Sequence, residues 1–137
     1  MLSIRQVHFD EIVAHAREAE PAECCGLIGG TGNSKTTTIY KLRNVARNNE
    51  VAYEAAPEDL FTAQRKMRER GEQLLAIYHS HPRSLAPEPS ETDVRLAYYP
   101  SASYLIISLG GPAPIMRAFH ISESEQTWQQ VEYEVTG

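Results

Sequence analysis

Residues Leu74 to His79 form an apolar run of strand length that closes on His79-Ser80-His81-Pro82. That ending constrains the fold. Side chains alternate across a strand, so His79 and His81 point to one side and Ser80 to the other. Strand geometry sets the two histidine Cα atoms about 6.5–7 Å apart, close enough for both imidazoles to reach one zinc ion. Pro82 stops the strand and leaves both histidines at its carboxyl end, beside a loop. The loop leads to Ser90-Glu91-Thr92-Asp93, from which Asp93 can swing back as a third ligand. A fourth position left for water would make such a site catalytic and not only structural.

The chain has 137 residues, enough for one domain, 1–137, with its own core. A net charge of −5 offers no electrostatic reason to bind nucleic acid or an anionic membrane. The best local basic face is Arg65-Lys66 with Arg68 and Arg70. Cys24 and Cys25 are adjacent, a spacing that disfavours a disulfide, so nothing points to an oxidising compartment. The N-terminus shows no long apolar run or cleavage-site pattern, and no stretch approaches the length of a membrane span. The expected location is the cytoplasm.

Apolar spacing at Phe9, Ile12, Val13 and Ala16 predicts a helix over residues 8–19, stopped by Pro21. Cys24 to Gly30 reads as a buried strand. Thr36 to Leu42 reads as its hairpin partner across the turn residues Thr31-Gly32-Asn33-Ser34. Pro57-Glu58-Asp59 opens a second helix over 57–70, with Leu60, Phe61, Gln64 and Met67 on or near one face and Gly71 as its cap. Ser90 to Ala97 reads as a short helix. Tyr104 to Leu109, Ile115 to Ile121 and Thr127 to Val135 read as three further strands. The order α-β-β-α-β-α-β-β-β is a mixed α/β domain.

Each candidate site residue also has a structural reading. Ser90 with Asp93 has the form of a capping box, which is compatible with Asp93 as a ligand because a capped helix holds it rigidly. Zinc hydrolysis also needs a carboxylate that is not a ligand. Glu23, Glu50, Glu54, Glu88 and Glu91 all qualify, and spacing does not choose among them. The cysteines fit better as packing on the two faces of a strand than as ligands or a nucleophile. His8, His15 and His120 lack a partner at ligand spacing. A cupin also uses His-x-His, but it is nearly all-β, and the helix at 57–70 argues against it.

Pro21-Ala22-Glu23-Cys24-Cys25-Gly26-Leu27-Ile28-Gly29-Gly30, His79-Ser80-His81-Pro82 and Ser90-Glu91-Thr92-Asp93 together resemble the JAMM signature of the Mov34/MPN/PAD-1 zinc metallopeptidases. The likeness runs along almost the whole chain, including Asn44-Val45-Ala46 and Ala97-Tyr98-Tyr99-Pro100. It implies a single MPN domain: a curved, mostly antiparallel sheet flanked by helices, cytidine-deaminase-like. It implies zinc held by His79, His81 and Asp93, Glu23 as acid/base, and Ser90 at the oxyanion. It implies hydrolysis of a peptide or isopeptide bond, with a ubiquitin-like sulfur-carrier protein or its C-terminal adduct as substrate. The alternatives are a non-catalytic MPN scaffold and a cell-wall or phage-tail peptidase. Eight residues, Pro82 to Pro89, separate His81 from Ser90, where the family usually has seven. Insertions in loops are cheap, so the loop is expected to bulge and the ligands to stay.

Overall fold

The computed structural model describes residues 1–137, in the order β1 (Leu2–Arg5), α1 (Gln6–Ala19), β2 (Cys25–Gly30), β3 (Thr36–Leu42), α2 (Pro57–Arg70), β4 (Gln73–His81), α3 (Glu91–Arg95), β5 (Ser103–Ser108), β6 (Ile115–Ser122), β7 (Thr127–Val131) and β8 (Tyr133–Thr136). Strands β3-β2-β4-β5-β6-β7 form one sheet, antiparallel except where β4 meets β5. The parallel pair β1-β8 forms a second, small sheet. No helix is long and apolar enough to cross a membrane.

Alternation along the strands divides the core into two layers. Ile12 and Ala16 of α1 pack with Ile4, Cys24, Ile28, Tyr78, Leu105 and Ile107 on one face of the sheet. Ala63 and Met67 of α2, with Val94 of α3, pack with Cys25, Leu27, Ile77, Tyr104 and Ile106 on the other. Cys24 and Cys25 therefore serve opposite layers, as expected of a strand, and both are buried free thiols. Each fully buried aliphatic side chain contributes about 1.5–3 kcal/mol relative to exposure.

Helix α2 follows its local signals. Pro57 stands in the first turn with Glu58 and Asp59, and Gly71 caps the far end at φ 67°. Its buried face is Leu60, Ala63 and Met67, and Phe61, expected near that face, is 67% exposed. Of the basic residues on this helix, Arg65 lies 3.7 Å from Glu69, and Arg70 donates to the Tyr40 hydroxyl at 3.2 Å. Just past the cap, Glu72 accepts hydrogen bonds from Thr37, Thr38 and Tyr40, tying the helix end to β3.

Two elements differ from expectation. Strand β1 has only four residues, and its pairing comes from β8 at the far end of the chain. The run Thr127 to Val135 is two strands divided at Glu132, because β7 pairs with β6 whereas β8 leaves to pair with β1.

Gly26 lies opposite Tyr78, and the Tyr78 ring occupies the space of a side chain there: a Cβ on Gly26 would sit 2.2 Å from Cε2. The ring is fully buried and its hydroxyl bonds His15 Nδ1 at 2.7 Å, so it has little room to yield. Gly26→Ala is expected to cost about 1–3 kcal/mol through overpacking. Urea unfolding measures this, and an unchanged midpoint would contradict it.

Candidate metal centre

The site is assembled by register. Because β2 runs antiparallel to β4, the start of β2 meets the end of β4, and Cys25 pairs with His79. The Ser80 N–H donates to the Cys24 carbonyl at 3.2 Å. The Ser80 hydroxyl accepts from the Cys24 N–H at 2.8 Å, standing in for a backbone acceptor where the ladder ends. Glu23 is thereby brought beside His79 and His81 although 56 residues separate it from His79 (79 − 23).

Helix α3 supplies the other wall. Ser90 is its N-cap: its Oγ accepts from the Asp93 N–H at 3.0 Å, and its own N–H donates to Asp93 Oδ2 at 2.9 Å. This capping box locks the Asp93 carboxylate, worth about 1 kcal/mol at the cap alone. The eight-residue loop does not prevent convergence. It is pinned by Gly110, whose N–H donates to the Ser84 carbonyl at 2.8 Å.

His79 Nε2, His81 Nε2 and Asp93 Oδ2 stand 3.1 Å from one another. Three donors around one tetrahedral zinc, at bonds of about 2.0–2.1 Å, are separated by about 3.3 Å, so the triangle has the size the ion demands. Two imidazoles and a carboxylate also form a donor set suited to zinc. Glu23, His79 and His81 offer donor atoms within 4.8 Å of one another, a looser grouping. Glu23 Oε1 is buried and has no protein hydrogen-bond partner. Of the five candidate glutamates only Glu23 is buried, and Glu50 is paired with Arg83.

Burial pushes the Glu23 carboxyl up to about 7, with His81 opposing and Asp93 reinforcing the shift. Burial acts on Asp93 in the same sense, but there the electrostatic attraction of His79 and the hydrogen bonds from both histidines and Ser90 win. They hold Asp93 well below the usual carboxylate range. Two carboxyls in one site thus have divergent proton affinities, the pattern of an acid/base group beside a permanently ionised one. Burial pushes the Cys24 thiol up to about 11 and the Cys25 thiol to about 12, which removes both from nucleophilic chemistry near neutrality. His8 bonds Thr36 Oγ1 at 2.7 Å and lies outside the site, as does His15.

Two further contributors carry no local sequence signal. Tyr53 stacks on His79 with ring centroids 4.6 Å apart. Asn44 hydrogen-bonds the Glu23 carbonyl at 2.9 Å. Only the likeness of Asn44-Val45-Ala46 to the family pattern hinted at either. A recess of about 380 Å³, lined by apolar side chains including Tyr53, Leu60, Leu96 and Tyr99, opens beside Asp93. A larger groove of about 620 Å³ at the β6–β7 hairpin contains none of the site residues.

Comparison with known proteins shows the family and the fold. The family described as prokaryotic homologs of the JAB domain matches residues 5–122. A desampylase from Haloferax volcanii is 39% identical over 107 residues, covering 74% of this chain and 76% of the relative. A CysO-cysteine peptidase from Mycobacterium tuberculosis is 31% identical over 132 residues, covering 96% and 90%. A solution structure of a Desulfitobacterium hafniense protein superposes with TM-score 0.86 at 35% identity, covering 99% of this chain and 93% of that one.

The raised Glu23 pKa has a consequence for stability. Folding disfavours the ionised carboxylate, so the penalty is absent below about pH 4.5, grows as pH rises, and is complete above about 7. In metal-free protein, Glu23→Gln is therefore expected to raise stability at pH 8, by about 1–3 kcal/mol, and much less at pH 5. Thermal unfolding at the two pH values measures the difference; equal effects at both would contradict it.

Proposed function

Because the chain belongs to the family of prokaryotic homologs of the JAB domain, we propose that it is a zinc-dependent peptidase acting at the C-terminus of a ubiquitin-like sulfur-carrier protein. His79, His81 and Asp93 would hold the zinc, Glu23 would be the acid/base, and Ser90 would assist at the oxyanion. The observation that carries this reading is the 3.1 Å donor triangle with a buried, unpartnered carboxyl beside it. Lewis-acid polarisation of a carbonyl and a water of lowered pKa are what zinc supplies when bound.

The protein groups divide the remaining work. Glu23 accepts a proton from the attacking water at a carboxylate oxygen and returns it to the leaving amine nitrogen. In the metal-free protein burial raises the Glu23 carboxyl towards neutrality, the direction that suits a group working as both base and acid. Asp93 stays ionised and its position is set by the cap, so it does not compete for that proton. Ser90 Oγ uses a lone pair to cap α3, which leaves its hydroxyl proton available to donate to the developing oxyanion. The apolar recess beside Asp93 suits an extended C-terminal tail.

The names of the Haloferax and Mycobacterium relatives, a desampylase and a CysO-cysteine peptidase, support this substrate class. A silent scaffold has no need of the full donor set together with a buried acid, and both are present.

Incubating the protein with the host's sulfur-carrier proteins bearing C-terminal extensions, read by mass spectrometry, tests the proposal. The expected result is release of the extension by protein carrying about one zinc per chain. Glu23→Gln should retain zinc and lose about 100-fold or more in rate. Full activity in that variant, or a folded, metal-replete protein without zinc, would overturn the assignment.

A further inference from the structure

His79 is fully buried, with its Nε2 turned to His81 and Asp93. A neutral imidazole that binds metal through Nε2 carries its proton on Nδ1. Metal-ligating histidines almost always have that N–H held by a carboxylate, a carbonyl or a water, which fixes the ring. The buried Nδ1 of His79 has no protein acceptor within reach. The ring is braced instead on its face. Tyr53 lies against it with centroids 4.6 Å apart and planes inclined by 29°, a stacked contact.

Tyr53 belongs to the irregular segment between β3 and α2, which depends on Asn44 for its shape. Asn44 Nδ2 donates to the carbonyls of Glu23 (2.9 Å), Ala52 (3.1 Å) and Asn49 (3.3 Å). Its Oδ1 accepts from the N–H groups of Ala46 (3.0 Å) and Glu54 (3.1 Å). The residues on both sides of Tyr53 are thus tied to one amide, and the same amide holds the backbone of Glu23. Backbone bonds from Val45 to Glu54 (2.8 Å) and from Glu23 to Asn49 (2.7 Å) close the arrangement.

We propose that Tyr53 is a positioning residue that holds His79 in its metal-facing orientation by stacking, and that Asn44 places Tyr53 and Glu23 together. This rests on the reading of His79 as a metal ligand. Stacking needs the ring and not the hydroxyl, so Phe should substitute for Tyr53 and an aliphatic residue should not.

Zinc affinity, measured by competition with a chromophoric chelator, and the visible spectrum of the cobalt-loaded protein test the proposal without reference to activity. Outer support of a ligand is typically worth about 10–100-fold in metal affinity. Tyr53→Leu is expected to lose affinity by about that factor and to alter the cobalt spectrum, while its metal-free unfolding midpoint shows that it is folded. Tyr53→Phe is expected to stay within about threefold of wild type, and Asn44→Ala to follow Tyr53→Leu. Wild-type affinity and spectrum in Tyr53→Leu would overturn the proposal alone. Equal losses in Tyr53→Phe and Tyr53→Leu would assign the effect to the hydroxyl and overturn the stacking role. A wild-type protein without zinc affinity, or His79→Ala binding as wild type, would overturn the metal reading and this proposal together.

Discussion

The antiparallel pairing of β2 with β4 is the contact on which the rest of the site depends. It sets Cys25 opposite His79 and lets the Ser80 hydroxyl take over the Cys24 N–H where the ladder ends. Side chains alternate with a period of two, so a slip of one residue in this register would turn His79 and His81 towards the α1 layer. Asp93 and Glu23 would then lose their histidine neighbours. The β-bulge between Ile28 and Gly29 lies further along β2, away from the site. The central strands therefore serve both as core and as the frame that aligns four chemical groups from three parts of the chain.

The site also shows how local stability and chemistry share residues. Asp93 closes the capping box of α3 and completes the donor triangle, so the helix signal and the ligand signal coincide in one side chain. Glu23 is the opposite case. It is buried without a protein partner, an arrangement that disfavours its ionised form and has no structural benefit visible in the fold. Uncompensated burial of this kind beside other titratable groups makes Glu23 a functional-site candidate.

Much of this organisation is legible in the sequence, because the signals are local. Pro57, Glu58, Asp59 and Gly71 delimit α2 at both ends, and the turn chemistry after Gly30 marks the β2–β3 hairpin. His79 and His81 declare their common face through strand alternation, and Ser90 with Asp93 declares the cap. Glu23 was not separable from four other glutamates by spacing, since its place is set by a register that no local pattern encodes. The family likeness singled it out, and its burial agrees. Strand β1 and the break at Glu132 were missed for a related reason: four residues at each end of the chain become strands only by pairing with each other. Phe61 shares the apolar character of the buried face of α2 yet turns outward, because apolar character alone does not say which neighbour turns inward. Tyr53 and Asn44 sit in an irregular segment with no periodicity to read, and their roles emerge only from contacts across the fold.

The central claim is that His79, His81 and Asp93 bind a catalytic zinc while Glu23 stays outside its coordination shell. Anomalous diffraction at the zinc edge from crystals grown with zinc tests it directly. The account predicts one strong peak within about 2.0–2.2 Å of His79 Nε2, His81 Nε2 and Asp93 Oδ2, with Glu23 beyond bonding distance. A peak bonded to Glu23 in place of Asp93, or none at this site, would contradict it.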